Sequence, residues 1–269
     1  MQLSHLCFAD DLIIFCKGDK NSINILMKSF NMFSKASELQ MNQAKSRFYS
    51  KVEADLDSIS GMQKGSIPFK YLGVTVSPKK LSMNDCACLV GKFMERIKNI
   101  GSRRLSYGCR LVLIKTVLQA LHSYWARVFV IPTMVLKRID ALWRKFFWHG
   151  QEEKESPALV SWANICKTEK QRGLGLKDIH FWNRAFVGKY VWWIAQKVDH
   201  LWVHWVHSVY IKEEVWADYY PSIQQSWSWR QVFRVNEQMK QFIFDANKNN
   251  DRIAEGYDWL MGTQPRERW

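Results

Sequence analysis

The chain has 269 residues and a formal net charge of +14, with 47% hydrophobic and 24% charged residues. This composition is close to that of average globular proteins and excludes a chain that is disordered throughout. The length allows one large domain or two ordinary ones. The positive charge favours an anionic partner, either nucleic acid or an acidic membrane surface, although charge can also serve solubility alone.

Charge and tryptophan are unevenly distributed along the chain. Residues 1–124 contain 18 Lys and Arg against 9 Asp and Glu, so +9 of the net charge lies there. All 14 Trp follow that segment, beginning with Trp125. The two parts therefore differ in composition, which predicts a boundary between residues 124 and 150.

The N-terminus and the cysteines indicate the compartment. No basic segment follows Met1, and Asp10 and Asp11 interrupt the first apolar run, so we expect no signal peptide. No stretch reaches the length of a membrane span. The six cysteines are scattered, and without a secretory signal we expect them to be reduced thiols. We therefore expect a nuclear or cytoplasmic protein that is neither secreted nor inserted in a membrane.

The first chemical signal is an acidic pair near the N-terminus. Two short apolar runs, residues 3–9 and 12–16, flank Asp10 and Asp11 and predict a hairpin with both carboxylates at its tip. Adjacent carboxylates repel each other, and a divalent cation relieves that repulsion. Mg²⁺ prefers such oxygen ligands, completed by water and substrate phosphates. The alternative is an exposed turn in which Asp merely favours the turn geometry.

The residues around this pair carry a family resemblance. Phe8-Ala9-Asp10-Asp11, between His5-Leu6 and the apolar residues 12–15, resembles the active-site hairpin of reverse transcriptases of the non-LTR (LINE-type) retrotransposon class. The resemblance implies that the pair is catalytic and lies on the sheet of the polymerase palm. It also implies that Asp10 is the principal ligand of the catalytic Mg²⁺ and that Asp11 is its neighbour.

Two further segments follow in the order that this family requires. Residues 39–46 resemble the family's turn and strand that carry a lysine near the incoming nucleotide phosphates, and Lys45 corresponds to that lysine. Residues 67–76 resemble the strand pair that supports the primer end, through Tyr71, Leu72 and Gly73. Taken alone, a lysine at a turn is usually a solvated charge, and a glycine in a strand marks a bulge or bend.

Amphipathic helices are predicted along much of the chain. The first begins at Asp19 or Ser22 and could cover a sheet with its apolar face. Helical spacing of apolar residues recurs over residues 85–100, 108–132 and 135–148, which predicts a helical bundle. The aromatic residues of the last of these helices follow core periodicity, so we expect them to pack in a core rather than stack on bases.

The resemblance implies that this bundle is a polymerase thumb. A thumb grips the backbone of nucleic acid rather than its bases. The candidates for phosphate contacts lie in a stretch with almost no acidic residues: Lys98, Arg103, Arg104, Arg110 and Lys115. The alternative is a solvated basic face, and the sequence leaves these two interpretations nearly even.

The region after the thumb resembles that of plant members of the class, up to about residue 235. The matching segments are Trp148-His149-Gly150, Ser161-Trp162 and Gly173-Leu174-Gly175. We expect the two glycines to form a tight turn, because the third Gly or the Gly-Lys-Ser/Thr ending of a phosphate-binding loop is missing. The Cys/His region that follows in the family has no match here.

Together these patterns predict an α+β fold. We expect a partial palm β-sheet with a covering helix at residues 1–80 and a helical thumb at residues 81–150. A Trp-rich helical region at residues 151–246 and a loosely ordered polar tail at residues 247–269 complete the chain.

The same patterns bear on activity. Nucleotidyl transfer by two metal ions needs carboxylates from separate elements, and in the family a further Asp lies on a strand upstream of the hairpin. These 269 residues contain no match to that strand, to the fingers, or to endonuclease, ribonuclease H or zinc-knuckle segments. We therefore expect an incomplete Mg²⁺ site and a truncated RNA-directed DNA polymerase homologue that is inactive alone.

Two other hypotheses stay open. One is a nucleic-acid-binding module that keeps the grip on an RNA template or a DNA duplex. The other is a helical interaction protein, or a relic without a retained function.

Overall fold

The computed structural model describes residues 4–50, 61–77, 79–100, 105–128, 130–150, 159–243 and 252–262. The chain divides into two compact units, Met1–Ser77 and Pro78–Trp269. The first contains short strands and one helix, and the described part of the second is helical, so the predicted α+β class is confirmed. The further division of the second unit at residues 150 and 246 stays a prediction.

The strands of the first unit form three separate pairs, whereas the sequence predicted one partial sheet. The first and third pairs are antiparallel hairpins, and the second pair is parallel. Among the described residues, no strand pairing connects one pair with another. The strands are β1 (His5–Phe8), β2 (Asp11–Ile14), β3 (Arg47–Phe48), β4 (Gln63–Lys64), β5 (Phe69–Tyr71) and β6 (Val74–Val76).

Helix α1 (Lys20–Ser37) begins where the sequence predicts. The Asp19 side chain accepts hydrogen bonds from the backbone N–H of Ser22 (2.8 Å) and from its hydroxyl (2.9 Å). These bonds lower the pKa of Asp19, because they stabilise the carboxylate at the helix start. The helix buries Ile23 but leaves Ile25 and Met32 largely exposed, so much of its apolar surface faces solvent.

The second unit has nine α-helices among its described residues. A π-helical segment, Ile114–Leu118, joins α3 to α4, and another, His207–Ile211, continues α8. A short 3₁₀ helix, Glu169–Gln171, follows α6. In the described parts of the chain, no helix is long and apolar enough to cross a bilayer. The helices are α2 (Ala87–Ile100), α3 (Tyr107–Leu113), α4 (Gln119–Ala126), α5 (Thr133–His149), α6 (Trp162–Cys166), α7 (Ile179–Ala195), α8 (Leu201–Val206), α9 (Trp227–Ile243) and α10 (Ile253–Leu260).

Helix α7 lies at the centre of the second unit, where α4, α5, α8, α9 and α10 pack against it. Asp178 starts the helix by accepting hydrogen bonds from the N–H groups of His180 (2.8 Å) and Phe181 (3.3 Å). The buried Asn183 side chain accepts one from the N–H of Ile131 (2.8 Å). A buried polar group is costly unless it is hydrogen-bonded, so this bond fixes the segment before α5 against α7.

Aromatic side chains form much of the core beside α2 and α5. The rings of Phe93 and Trp143 meet edge to face with centroids 6.0 Å apart. Trp143, Phe146 and Phe147 are each exposed by 3% or less. The prediction that these residues pack in a core is therefore confirmed.

The polar tail contains a helix, which corrects the prediction of a loosely ordered end. In α10, Tyr257 is buried, and its hydroxyl accepts a hydrogen bond from the Asp178 N–H (3.0 Å). Its ring packs edge-on against Trp182, with centroids 5.3 Å apart. Residues 244–251 and 263–269 lie outside the described residues.

The predicted tight turn at the two glycines is confirmed, and it gives a stability test. The N–H groups of Gly173 and Gly175 donate to the carbonyl oxygens of Thr168 and Lys167, both at 2.9 Å. A Cβ on Gly173 would collide with the Lys167 backbone carbonyl. We expect Gly173→Ala to lower the free energy of unfolding by about 2 kcal/mol, measured by urea denaturation followed by circular dichroism.

Gly91 provides the matched control. It lies within α2, and apart from its own stretch of the helix no described atom lies within 4 Å of where its Cβ would be. Gly91→Ala should raise the free energy of unfolding by about 0.5–1 kcal/mol, because alanine restricts the unfolded chain more than glycine does. Equal changes in the two variants would contradict the crowding inferred at Gly173.

Candidate functional site

The acidic pair lies at the tip of the β1–β2 hairpin, as the sequence predicts. Phe8 pairs with Asp11, which leaves Ala9 and Asp10 as a two-residue turn. Ala9 has a φ of 50°, and Asp10 is not among the residues with positive φ. That combination is typical of a type II′ hairpin turn. Both Asp residues are exposed to solvent.

The predicted Tyr-Leu-Gly strand pair forms a second tight hairpin. Tyr71 pairs with Val74, so Leu72 and Gly73 make the turn. Their φ values are 47° and 77°. Two successive positive φ values are typical of a type I′ turn, which favours glycine because it has no Cβ. The turn therefore accounts for Gly73 without any nucleic acid.

The two hairpins are linked electrostatically at Tyr71. Desolvation raises the pKa of Tyr71 above its ordinary value of 10.0, and the negative charge of Asp11 raises it further. Asp11 lies on the first hairpin and Tyr71 on the second, so the charge of one hairpin acts on the phenol of the other. The first unit thus brings together one carboxylate of the acidic pair and one residue predicted to support the primer.

Lys45 lies in a turn followed by a strand, as the sequence predicts. Its backbone N–H donates to the Asn42 carbonyl oxygen (3.1 Å), and β3 begins two residues later. The residue is exposed. Among the described residues, no hydrogen bond or ion pair joins Lys45 to Asp10 or Asp11, and its predicted role beside the nucleotide phosphates stays a prediction.

The carboxylates suit Mg²⁺ chemically but do not fit a two-metal site. Two catalytic ions about 3.5–4 Å apart need ligands from separate elements, whereas Asp10 and Asp11 are neighbours on one turn. Within the described ranges, no group of three or more His, Cys, Asp or Glu residues is arranged to hold a metal ion. The donor set of these residues is therefore incomplete for the catalytic pair of ions.

Arg110 has a structural position, which corrects its prediction as a phosphate-binding residue. It is only 8% exposed. Its Nη1 donates to the carbonyl oxygens of Phe147 (3.2 Å) and Trp148 (3.0 Å), and its guanidinium lies 5.5 Å from the Tyr107 ring centre. The last carbonyls of a helix lack partners within the helix and attract a cation. Arg110 therefore joins α3 to the C-terminal end of α5.

The other basic candidates differ in their surroundings. Lys115 Nζ lies 3.8 Å from Glu169 Oε1, in an exposed ion pair of small energetic weight. Lys98 is exposed in the last turn of α2. Arg103 and Arg104 lie outside the described residues, so their predicted contact with phosphate stays a prediction.

The sequence reasoning missed a second basic surface, on α9. Trp227, Arg230 and Arg234 line one surface cavity there. Their spacing of three and four residues places them on one helix face. That spacing is the sequence pattern from which this surface could have been predicted.

Known proteins resemble different lengths of the chain. Residues 1–76 match the family described as reverse transcriptase (RNA-dependent DNA polymerase). A ribonuclease H protein of Arabidopsis thaliana is 30% identical over 178 residues, which cover 64% of this chain. An uncharacterized mitochondrial protein of the same plant is 24% identical over 148 residues, which cover 54% of this chain and 96% of that protein.

The segment that matches the reverse transcriptase family nearly coincides with the first compact unit. The chain spans only 27% of the length of the ribonuclease H relative. The family match ends one residue before the first compact unit does, and it includes the acidic hairpin, Lys45 and the Tyr-Leu-Gly hairpin. The plant relatives are consistent with the predicted resemblance to plant non-LTR retrotransposon enzymes. Residues 1–76 are therefore similar to the reverse transcriptase family, as the acidic hairpin predicts.

Proposed function

We propose that this chain is part of an RNA-directed DNA polymerase related to plant non-LTR retrotransposon reverse transcriptases. By itself it does not polymerise DNA, and it retains binding to the backbone of nucleic acid. The observation that carries the proposal is the exposed Asp10–Asp11 hairpin turn within a segment that matches the reverse transcriptase family.

The donor set supports the proposed inactivity of the 269-residue chain. Its two family-matched carboxylates sit on one exposed turn, and Mg²⁺ gives up its water ligands reluctantly. An exposed pair of this kind can hold one hydrated ion weakly but cannot bridge two ions and a triphosphate. We therefore derive no catalytic step for this chain alone.

The packing of the first unit supports the same conclusion. Its described residues bury only Ile23 and Val74 among their apolar side chains, while Phe8 is 61% exposed and Phe15 is 47% exposed. Catalytic constellations need ligands held to within about 0.5 Å by surrounding packing. A hairpin with so little support does not meet that demand, so the polymerase would need further elements around it.

A primer-extension assay tests the inactivity. We expect the purified chain to add no nucleotide to a primed RNA template with Mg²⁺ or Mn²⁺, because its metal ligands are incomplete. Asp10→Asn should give the same background, and an active reverse transcriptase serves as the positive control. Synthesis by the unchanged chain that disappears in Asp10→Asn would overturn the inactivity.

The position of Asp11 can be tested without activity. We expect Asp11→Asn to lower the pKa of Tyr71, since removing a nearby negative charge makes the tyrosinate easier to form. A ¹³C NMR titration of labelled tyrosine measures this directly. Asp19→Asn removes an equal charge at the start of α1 and should leave Tyr71 unchanged. An unshifted Tyr71 in Asp11→Asn would contradict the electrostatic link between the two hairpins.

Binding to the nucleic-acid backbone depends on the basic stretch after α2. Lys98 is exposed, and residues 101–124 contain four basic residues and no acidic residue. With Arg110 committed to α5, we assign the phosphate contacts to Lys98, Arg103, Arg104 and Lys115. Such contacts release counterions and make affinity fall with salt.

Two substitutions test this assignment. Arg103→Gln with Arg104→Gln should make the plot of log affinity against log salt less steep by about 1.8 for a short duplex, at about 0.9 per phosphate contact. Fluorescence anisotropy with a labelled duplex measures the affinity. Lys197→Gln with Lys212→Gln removes the same charge from two exposed loop positions and is the matched control. Salt-independent binding, or equal effects of both pairs, would contradict the assignment.

A further inference from the structure

A concave site on α9 combines positive charge with aromatic surface. The volume of this open cavity is about 190 Å³. Five of its six lining residues come from the first eight residues of α9. The lining residues are Pro221, Trp227, Arg230, Gln231, Phe233 and Arg234.

The charge of this site lacks a partner within the described protein. Arg230 and Arg234 are four residues apart on α9, so their side chains project from the same face. Among the described residues, neither guanidinium forms an ion pair or a hydrogen bond. The Nε of Arg230 is also shielded from water without a hydrogen-bond acceptor. Because a partly desolvated cation without an acceptor is unfavourable, an anion in this cavity would be stabilising.

Aromatic rings stand beside that charge. Tyr220 is 68% exposed, and its ring centre lies 5.2 Å from that of Phe233, which lines the cavity. Trp227 is half-buried at the same site. Exposed aromatic rings next to a basic groove are typical of surfaces that stack unpaired bases while holding phosphates. A duplex hides the faces of its bases, so this combination favours single strands.

We propose that this site on α9 binds single-stranded nucleic acid. Arg230 and Arg234 hold the phosphates, and Tyr220 and Trp227 stack on the bases. The site extends the nucleic-acid binding of the proposed function to a second surface, and it uses none of the residues assigned to duplex contact. An acidic peptide could form ion pairs with Arg230 and Arg234, but it would leave the aromatic rings without a base to stack on.

The role of Arg230 and Arg234 is tested by measuring how the full chain binds a labelled pyrimidine strand of about 12 nucleotides. The strand is used both as DNA and as RNA. Fluorescence anisotropy is measured at several salt concentrations. Arg230→Gln with Arg234→Gln should make the plot of log affinity against log salt less steep by about 1.4, at about 0.7 per phosphate contact of a single strand. The control pair, Lys197→Gln with Lys212→Gln, removes the same charge outside the cavity and should leave the slope near that of the unchanged chain.

Stacking is tested by a second set of variants. Tyr220→Leu should weaken binding about fivefold or more, whereas Tyr220→Phe should retain it, because only an aromatic ring stacks on a base. Tyr220 is mostly exposed, so both variants should keep the fold, and circular dichroism checks this. If either the arginine pair matches its control or Tyr220→Leu binds as tightly as Tyr220→Phe, the proposal is overturned.

Two further results separate the alternatives. A poly-glutamate peptide that binds as tightly as the strand, and with the same dependence on Arg230 and Arg234, would overturn the assignment to nucleic acid. The Arg103→Gln and Arg104→Gln variant should still bind the single strand through α9. Loss of duplex binding would therefore leave the single-strand site on α9 intact. Loss of single-strand binding at α9 would likewise leave duplex binding intact.

Discussion

The second unit depends on one helix that is enclosed by five others. Helices α4, α5, α8, α9 and α10 all pack on α7, which can be surrounded because it is apolar or small on most of its faces. Gly188 allows the closest approach, since a Cβ there would lie 2.5 Å from Met239 Sδ of α9. The polar groups of α7 are satisfied in place, Asp178 at its start and Asn183 in its buried middle.

The two units use basic residues and apolar residues differently. In the second unit, a buried arginine supports packing by satisfying the carbonyls at the end of α5. In the first unit, apolar side chains remain on the surface and few are buried. The first unit carries the family motifs but little core, whereas the second has a large core and lies outside the segment that matches the reverse transcriptase family. The segment that matches the reverse transcriptase family and the larger hydrophobic core therefore lie in different units.

Turns and helix starts that depend on neighbouring residues were predictable from the sequence. Contacts between residues far apart in the sequence were not. The two hairpins, the start of α1 at Asp19 and the turn at Gly173 all depend on residues within a few positions of each other. The burial of Arg110 depends on carbonyls 37 and 38 residues away, and no periodicity within its own helix reveals them. Helix α10 is short and lies among polar residues, so its contact with Asp178, 79 residues earlier, was also hidden. For the candidate site, the acidic turn was predicted, but the basic face of α9 was not.

The position of α7 in the chain has a consequence for how the protein is made. Helix α7 is synthesised before α8, α9 and α10, which cover much of its surface. Domains generally fold as units while the ribosome adds residues from the N-terminus. Tyr257, whose hydroxyl bonds to the N–H of Asp178, is among the last described residues to be made. The packing around α7 can therefore be completed only after α10 has left the ribosome, and until then part of the apolar surface of α7 stays uncovered.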